Sequence, residues 1–347
     1  MRKWILLVIV LSVFVLHPTA QTLQAPTVPD SGAAVMPQSP DTFAQGLYQL
    51  IQSGIYLLSP SLKEAASVCS AALAILLIQC LLGHLCPTHY RRSLSVLSGI
   101  LLACTLYSAN FSMLALAENT IQELTQYGKI LTGVLATGLA AQGGVSSSAA
   151  LYAGFCVFQN ILSALVSGVL MPMVFLFLLL GICGELFPRE LLKQFCAGVK
   201  SLLQWCMKVL LYAFTGFMTI TGVISGTADA LAVKATKLTI SSMIPVVGGI
   251  LSDASETVLV SASLLKNAAG VYGMLAILSV CLMPFLKIGC QYLLLKLCSA
   301  VGETVDSSVC CGILKVYTGA MGFALAMTGT VCLMLLISTV CFMKGMS

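Results

Sequence analysis

Charge is scarce in this sequence: only 8% of its 347 residues are Asp, Glu, Lys or Arg. Histidine occurs three times and tryptophan twice. No His-Glu-x-x-His, Gly-x-Ser-x-Gly or Walker-type phosphate loop occurs, so the usual signatures of metalloproteases, serine hydrolases and nucleotide hydrolases are missing. No catalytic residue, cofactor or resident metal is expected. The 15 cysteines form no Cys-x-x-Cys pair, and Cys69, Cys80, Cys104, Cys156, Cys183, Cys281, Cys332 and Cys341 lie within apolar runs, where cysteine acts as a small hydrophobe. Only Cys310-Cys311 is an unusual spacing, open to redox chemistry or to plain packing.

What is abundant is apolar surface. Hydrophobic residues make up 59% of the chain and mean hydropathy is +1.01. Several runs approach the roughly 20 residues that cross a bilayer as a helix. The formal net charge of +5 is spread near the ends of these runs, which suits membrane topology and offers no groove to nucleic acid. The expected fold is all-α: a polytopic integral membrane protein with seven or eight transmembrane helices behind an N-terminal signal sequence.

Residues 1–20 have the parts of a signal: Arg2 and Lys3, an apolar core from Ile5 to Leu16, and a break at Pro18 before Ala20. Residues 21–64 read as an exported segment. Its first part holds Pro26, Pro29, Pro37 and Pro40 and is too polar to fold, while Phe43 to Leu58 suits an interfacial helix ahead of Pro60. Residues 65–347 form the membrane domain. Spans are read at Ala65–Leu85, Leu94–Ala117, Ala149–Ser167, Val169–Phe187, Met207–Ser225, Ala268–Lys287 and Val316–Phe342, with Gly168 as a turn and Lys129–Gln142 as an eighth, short crossing. Basic residues cluster at Arg91 and Arg92, from Arg189 to Lys208, and from Lys287 to Lys315; the positive-inside rule puts them on one side if the eighth segment crosses. Pro188 to Cys206 is amphipathic, with Arg189, Lys193, Lys200 and Gln204 on one side, and is read as lying on the anionic cytoplasmic leaflet.

Three further stretches bear on chemistry. His84, Cys86 and His89 could offer three zinc ligands within six residues, but Pro87 breaks the helix that would align them and a fourth ligand has no obvious source. The spans hold Gln79, Asn110, Gln159 and Asn160 but no mid-span carboxylate, which weakens an ion-coupled transporter; such amides more often bond between helices. Thr227 to Asn267 is a polar island with Asp229, Lys234, Lys237, Asp253, Glu256 and Lys266. Ala228–Met243 reads as one helix, and Asp253 with Glu256 as the cap of a second that runs through Lys266. The turn between them, Ile244-Pro245-Val246-Val247-Gly248-Gly249, is apolar where an exposed loop should be polar. It is either a pore or partner contact, together with Asp253, Lys266 and Asn267, or a turn packed on the chain's own helices.

The run from Lys237 through Ile244-Pro245-Val246-Val247-Gly248-Gly249 to Ala254, with Leu264 to Ala268, closely resembles the stage III sporulation protein AE family. Glu118 to Lys129, the basic helix Pro188 to Lys208 and the signal-like start agree, although the linker is short for that family. The resemblance implies a multi-pass subunit of the mother-cell membrane around the forespore, in a channel or secretion-like complex. Its implied partners are other stage III sporulation membrane proteins, an ATPase and ring-forming subunits, further copies of itself, and the lipid bilayer. A stand-alone small-solute transporter is the alternative.

Overall fold

A computed structural model describes the backbone of residues 27–37, 43–85, 87–141, 145–187, 189–243, 248–304 and 308–344, and the side chains of all of these except 88, 145–147, 218–243, 248–267, 308 and 344. Among the described residues the fold is all-helical, with no strand. A helical turn, α1 (Asp30–Ala33), precedes the long helices α2 (Phe43–Leu85), α3 (Arg91–Ala141), α4 (Val145–Leu165), α5 (Met171–Leu186), α6 (Glu190–Met243), α7 (Gly248–Thr304) and α8 (Ser308–Lys344). Five helical stretches among the described residues are long and apolar enough to cross a bilayer: Phe43–Leu85, Arg91–Ala141, Ser148–Leu186, Ala268–Thr304 and Val309–Met343.

Several boundaries read from the sequence do not exist as breaks. Pro60 lies inside α2, so the interfacial helix and the first span are one rod. Lys129–Gln142 is no separate crossing; residues to Ala141 prolong α3, whose 51 residues rise ~76 Å. The polar stretch from Glu118 stays helical because its backbone groups are already paired along the rod, and Leu124, Tyr127 and Leu131 keep a core-facing stripe through it. Gly168 is no turn either. It sits in a π turn, Val166–Leu170, that joins α4 to α5 without interruption. The next helical turn contains Pro172, which lacks an N–H and crowds the carbonyl four residues back; the wider π turn absorbs that conflict without ending the helix.

Short connections make successive rods alternate in direction. Two breaks in the eight-span reading vanish, so parity is unchanged and the basic clusters still share an end. There Gly99 of α3 lies against Leu186 of α5 and Val309 of α8. The central packing is among α3, α7 and α8, with α2 against α7, and α4 and α5 between α3 and α6. Leu102, Leu106, Leu114, Leu131, Ile277, Ile288, Tyr317 and Leu335 form part of the continuous apolar core. Helices α2 and α7 run the same way: Gly54 faces Leu282, Glu64 pairs with Lys287, and Cys69 accepts through its carbonyl from Cys298.

The segment before α2 is not wholly an unfolded linker. Gly32 is buried against Val280, where an added Cβ would lie 2.6 Å from Val280 Cγ2. Ser31 donates to the Glu123 carboxylate. Four residues with little apolar surface are thus held by backbone approach and a charge-assisted hydrogen bond, neither of which composition reveals.

Candidate functional site

Helix α6 begins with Glu190, Leu191, Leu192 and Lys193, and Lys193, Lys200, Gln204 and Lys208 recur on one face. The adjacent flank buries Leu203, Met207 and Leu210, while Phe195, Leu202 and Trp205 are exposed. The sequence reading laid this segment flat on a leaflet. It instead stands in the bundle as the first half of a 54-residue helix packed against α4 and α5. Burial of one flank against those helices outweighs the surface preference of a basic face.

That placement opens a groove of about 910 Å³ between α6, α7 and α8. Lys200 and Lys208 line it from α6, Lys296 and Glu303 from α7, and Lys315 from α8. Glu303 is the one carboxylate among these lining residues, and Lys315 Nζ lies 2.7 Å from its Oε1. Lys296 stands over the Tyr292 ring, 5.7 Å from its centroid. Away from the basic end, Met207, Leu211, Tyr292, Phe323 and Ala326 make the walls. Gly319, Gly322 and Ala326 recur every three or four residues along α8, so that flank presents no bulk and the trough stays open.

A polar knot closes the same end of the bundle. Cys310 donates to Gln79 Oε1, and Gln79 Nε2 reaches Ser95 Oγ at 3.5 Å. Cys311, its chain neighbour, turns the other way to the carbonyl of Ser299 on α7. The unusual pair therefore serves two helix contacts. Of the other amides, Asn160 accepts from Lys129 at 2.8 Å across α3 and α4, whereas Asn110 donates to Leu106 of its own helix. Both side-chain polar atoms of Gln159 are buried without a partner among the described residues.

Sequence reasoning missed the Glu64–Lys287 pair, 3.3 Å apart between α2 and α7. It began the first span at Ala65, one residue late, and sent Lys287 to the membrane surface by snorkelling. The usable signal was that a carboxylate and an ammonium occupy two span-length helices, each needing a partner.

Ile244, Pro245, Val246 and Val247 lie outside the described residues. Gly248, Gly249, Asp253, Lys266 and Asn267 belong to the backbone of α7, which starts at Gly248, five residues before the Asp253 cap read from the sequence, and continues far beyond Lys266. The first island helix likewise is the end of α6, closing at Met243, two residues before Pro245, in keeping with the restriction proline places on what precedes it. His84 and His89 are exposed, and Cys86 lies outside the described residues. No group of three metal-ligand side chains occurs among the described residues.

The model of the family described as stage III sporulation protein AE matches residues 50–345. A relative of that name from Bacillus subtilis (strain 168) is 24% identical over 222 residues, which cover 64% of this chain and 56% of the relative. The chain thus spans little more than half the length of the curated relative it matches. No solved structure matches.

Proposed function

Because this chain belongs to the stage III sporulation protein AE family, and so has a role in sporulation, we propose that it is a non-enzymatic membrane subunit of a channel or secretion-like complex between mother cell and forespore. The observation that carries the reading is the family match from residue 50 to residue 345, nearly the whole helical bundle. Gathering of Arg91, Arg92, Arg189, Lys200, Lys296 and Lys315 at one end supports a fixed orientation in the mother-cell membrane, with that end cytoplasmic. The α6–α7 junction, Ile244 to Gly249, would then face the space between the two membranes as a pore or partner contact. The partners in this reading are other stage III membrane proteins, an ATPase, ring-forming subunits and further copies of the chain.

Replacing Gly248 and Gly249 with bulky residues tests the junction: sporulation should stop after engulfment while the protein still inserts. Normal spores from that strain would remove the junction from the mechanism. Co-purification with an ATPase and ring-forming membrane proteins tests the complex.

A second reading, a stand-alone small-solute transporter, draws on Glu64 and Lys287, since a charged pair between span-length helices is a means of binding an ion or a polar solute. Solute uptake by the purified chain alone in liposomes would favour it.

A further inference from the structure

The groove between α6, α7 and α8 combines features that point to one kind of ligand. Four lysines and one carboxylate leave an excess of positive charge, and the excess is strongest at the end where Lys200, Lys296 and Lys315 meet. Beyond that end the lining turns apolar. We propose that the groove holds a phospholipid with an anionic headgroup, its phosphate among Lys200, Lys296 and Lys315 and an acyl chain lying along Gly319, Gly322 and Ala326 toward Thr330.

Length supports this. Lys315 and Thr330 are the first and last lining residues on α8, and fifteen residues of helix rise ~22 Å. One leaflet with its headgroups is half of a bilayer ~40–45 Å thick, so about the same length. Charge supports it equally. Compact ammonium groups bind phosphate as point charges, and basic pockets between helices on the cytoplasmic side suit anionic headgroups. Glu303 offsets part of the Lys315 charge, so Lys200 and Lys296 carry most of the attraction at the phosphate and Lys208 adds to it. A free phosphate would use only the mouth, and a zwitterionic lipid would forgo the charge. The inference rests on the chain lying in a bilayer and is independent of any channel role.

The full chain, purified in mild detergent, is titrated with phosphatidylglycerol, with phosphatidylcholine of the same acyl chains, and with inorganic phosphate, and retained ligand is read by native mass spectrometry. Phosphatidylglycerol should be held at least tenfold more tightly than phosphatidylcholine. Each lysine neutralised should weaken it roughly fivefold, and Lys200→Gln with Lys296→Gln roughly 25-fold. Lys193→Gln, on the same helix but outside the lining, should leave the preference unchanged. Ala326→Phe, which fills the trough, should weaken phosphatidylglycerol without altering the charge. Equal retention of the two lipids overturns the proposal. So does displacement by phosphate at concentrations comparable to the lipid, which would mark a free-anion site, and so does loss of self-association in Ala326→Phe with lipid retention intact, which would mark a protein contact.

Discussion

Lys287 Nζ lies 3.3 Å from Glu64 Oε2, a residue more than two hundred positions earlier, and ties α7 to α2, two helices that run in the same direction. Lys287 is the more buried partner, with 28% of its side chain accessible against 58% for Glu64. Removing Glu64 therefore hurts more than the reverse, because it leaves the better-buried charge alone. Glu64→Gln and Lys287→Gln should each lower the thermal midpoint in detergent, and the exchange Glu64→Lys with Lys287→Glu should recover part of the loss. A double-mutant cycle should return a coupling of about 1 kcal/mol or less, given the exposure. Zero coupling would reduce the pair to a surface coincidence.

Topology separates the six-rod arrangement from the eight-span reading. Ser147 begins α4 and Ser255 lies near the start of α7, and alternation of the rods puts both at the end opposite the basic clusters. Eight spans would place them on opposite sides. Single cysteines at the two positions, in a background with the native cysteines replaced, should react with an impermeant maleimide from the same side. Labelling from opposite sides would restore a break at Gly168.

The docked N-terminal turn depends on Gly32. A Cβ there would approach Val280 Cγ2 to 2.6 Å and its backbone nitrogen to 2.8 Å, and the backbone cannot yield. Gly32→Val should release the segment before α2, at a cost of about 1–3 kcal/mol. Limited proteolysis should then cut before Phe43 much faster than in the unaltered chain, while α2 to α8 stay protected. Unchanged protection would mean the turn is held by other contacts.

Cys310 and Cys311 are both buried, at 0% and 6% exposure, and their thiols serve Gln79 on α2 and Ser299 on α7. Oxidation would have to withdraw both from these partners. Mild diamide should leave the two thiols countable in the folded protein, and denaturant should make them reactive. Gln79→Leu, which removes the 2.8 Å partner of the Cys310 thiol and leaves it the weaker contact with Ser98 at 3.7 Å, should destabilise by about 1–2 kcal/mol. A vicinal disulfide formed under mild oxidant in the folded state would revive a redox role.

The helical class was written in the sequence. Long apolar runs have one stable form in a bilayer, the helix, because every backbone group must pair within its own segment. The basic clusters share an end whether the rods number six or eight. Local composition also marked the end of α6 at Met243, two residues before Pro245, although Pro60 and Pro284 are carried inside α2 and α7.

Continuity, pairing and the groove were decided only by tertiary structure. Pro60 and Gly168 each lower helix preference locally and Glu118 interrupts the apolar run, yet a rod passes through all three, because packing along one face and a π turn outweigh a local cost of about 1–3 kcal/mol. Ser31 meeting Glu123, and Lys287 meeting Glu64, join residues far apart in sequence through distances that no hydropathy pattern encodes. The lysines of α6 were legible as a basic face. That this face forms one wall of a trough floored by Gly319, Gly322 and Ala326 depends on where α6 stands against α7 and α8, which side-chain complementarity fixes and composition does not.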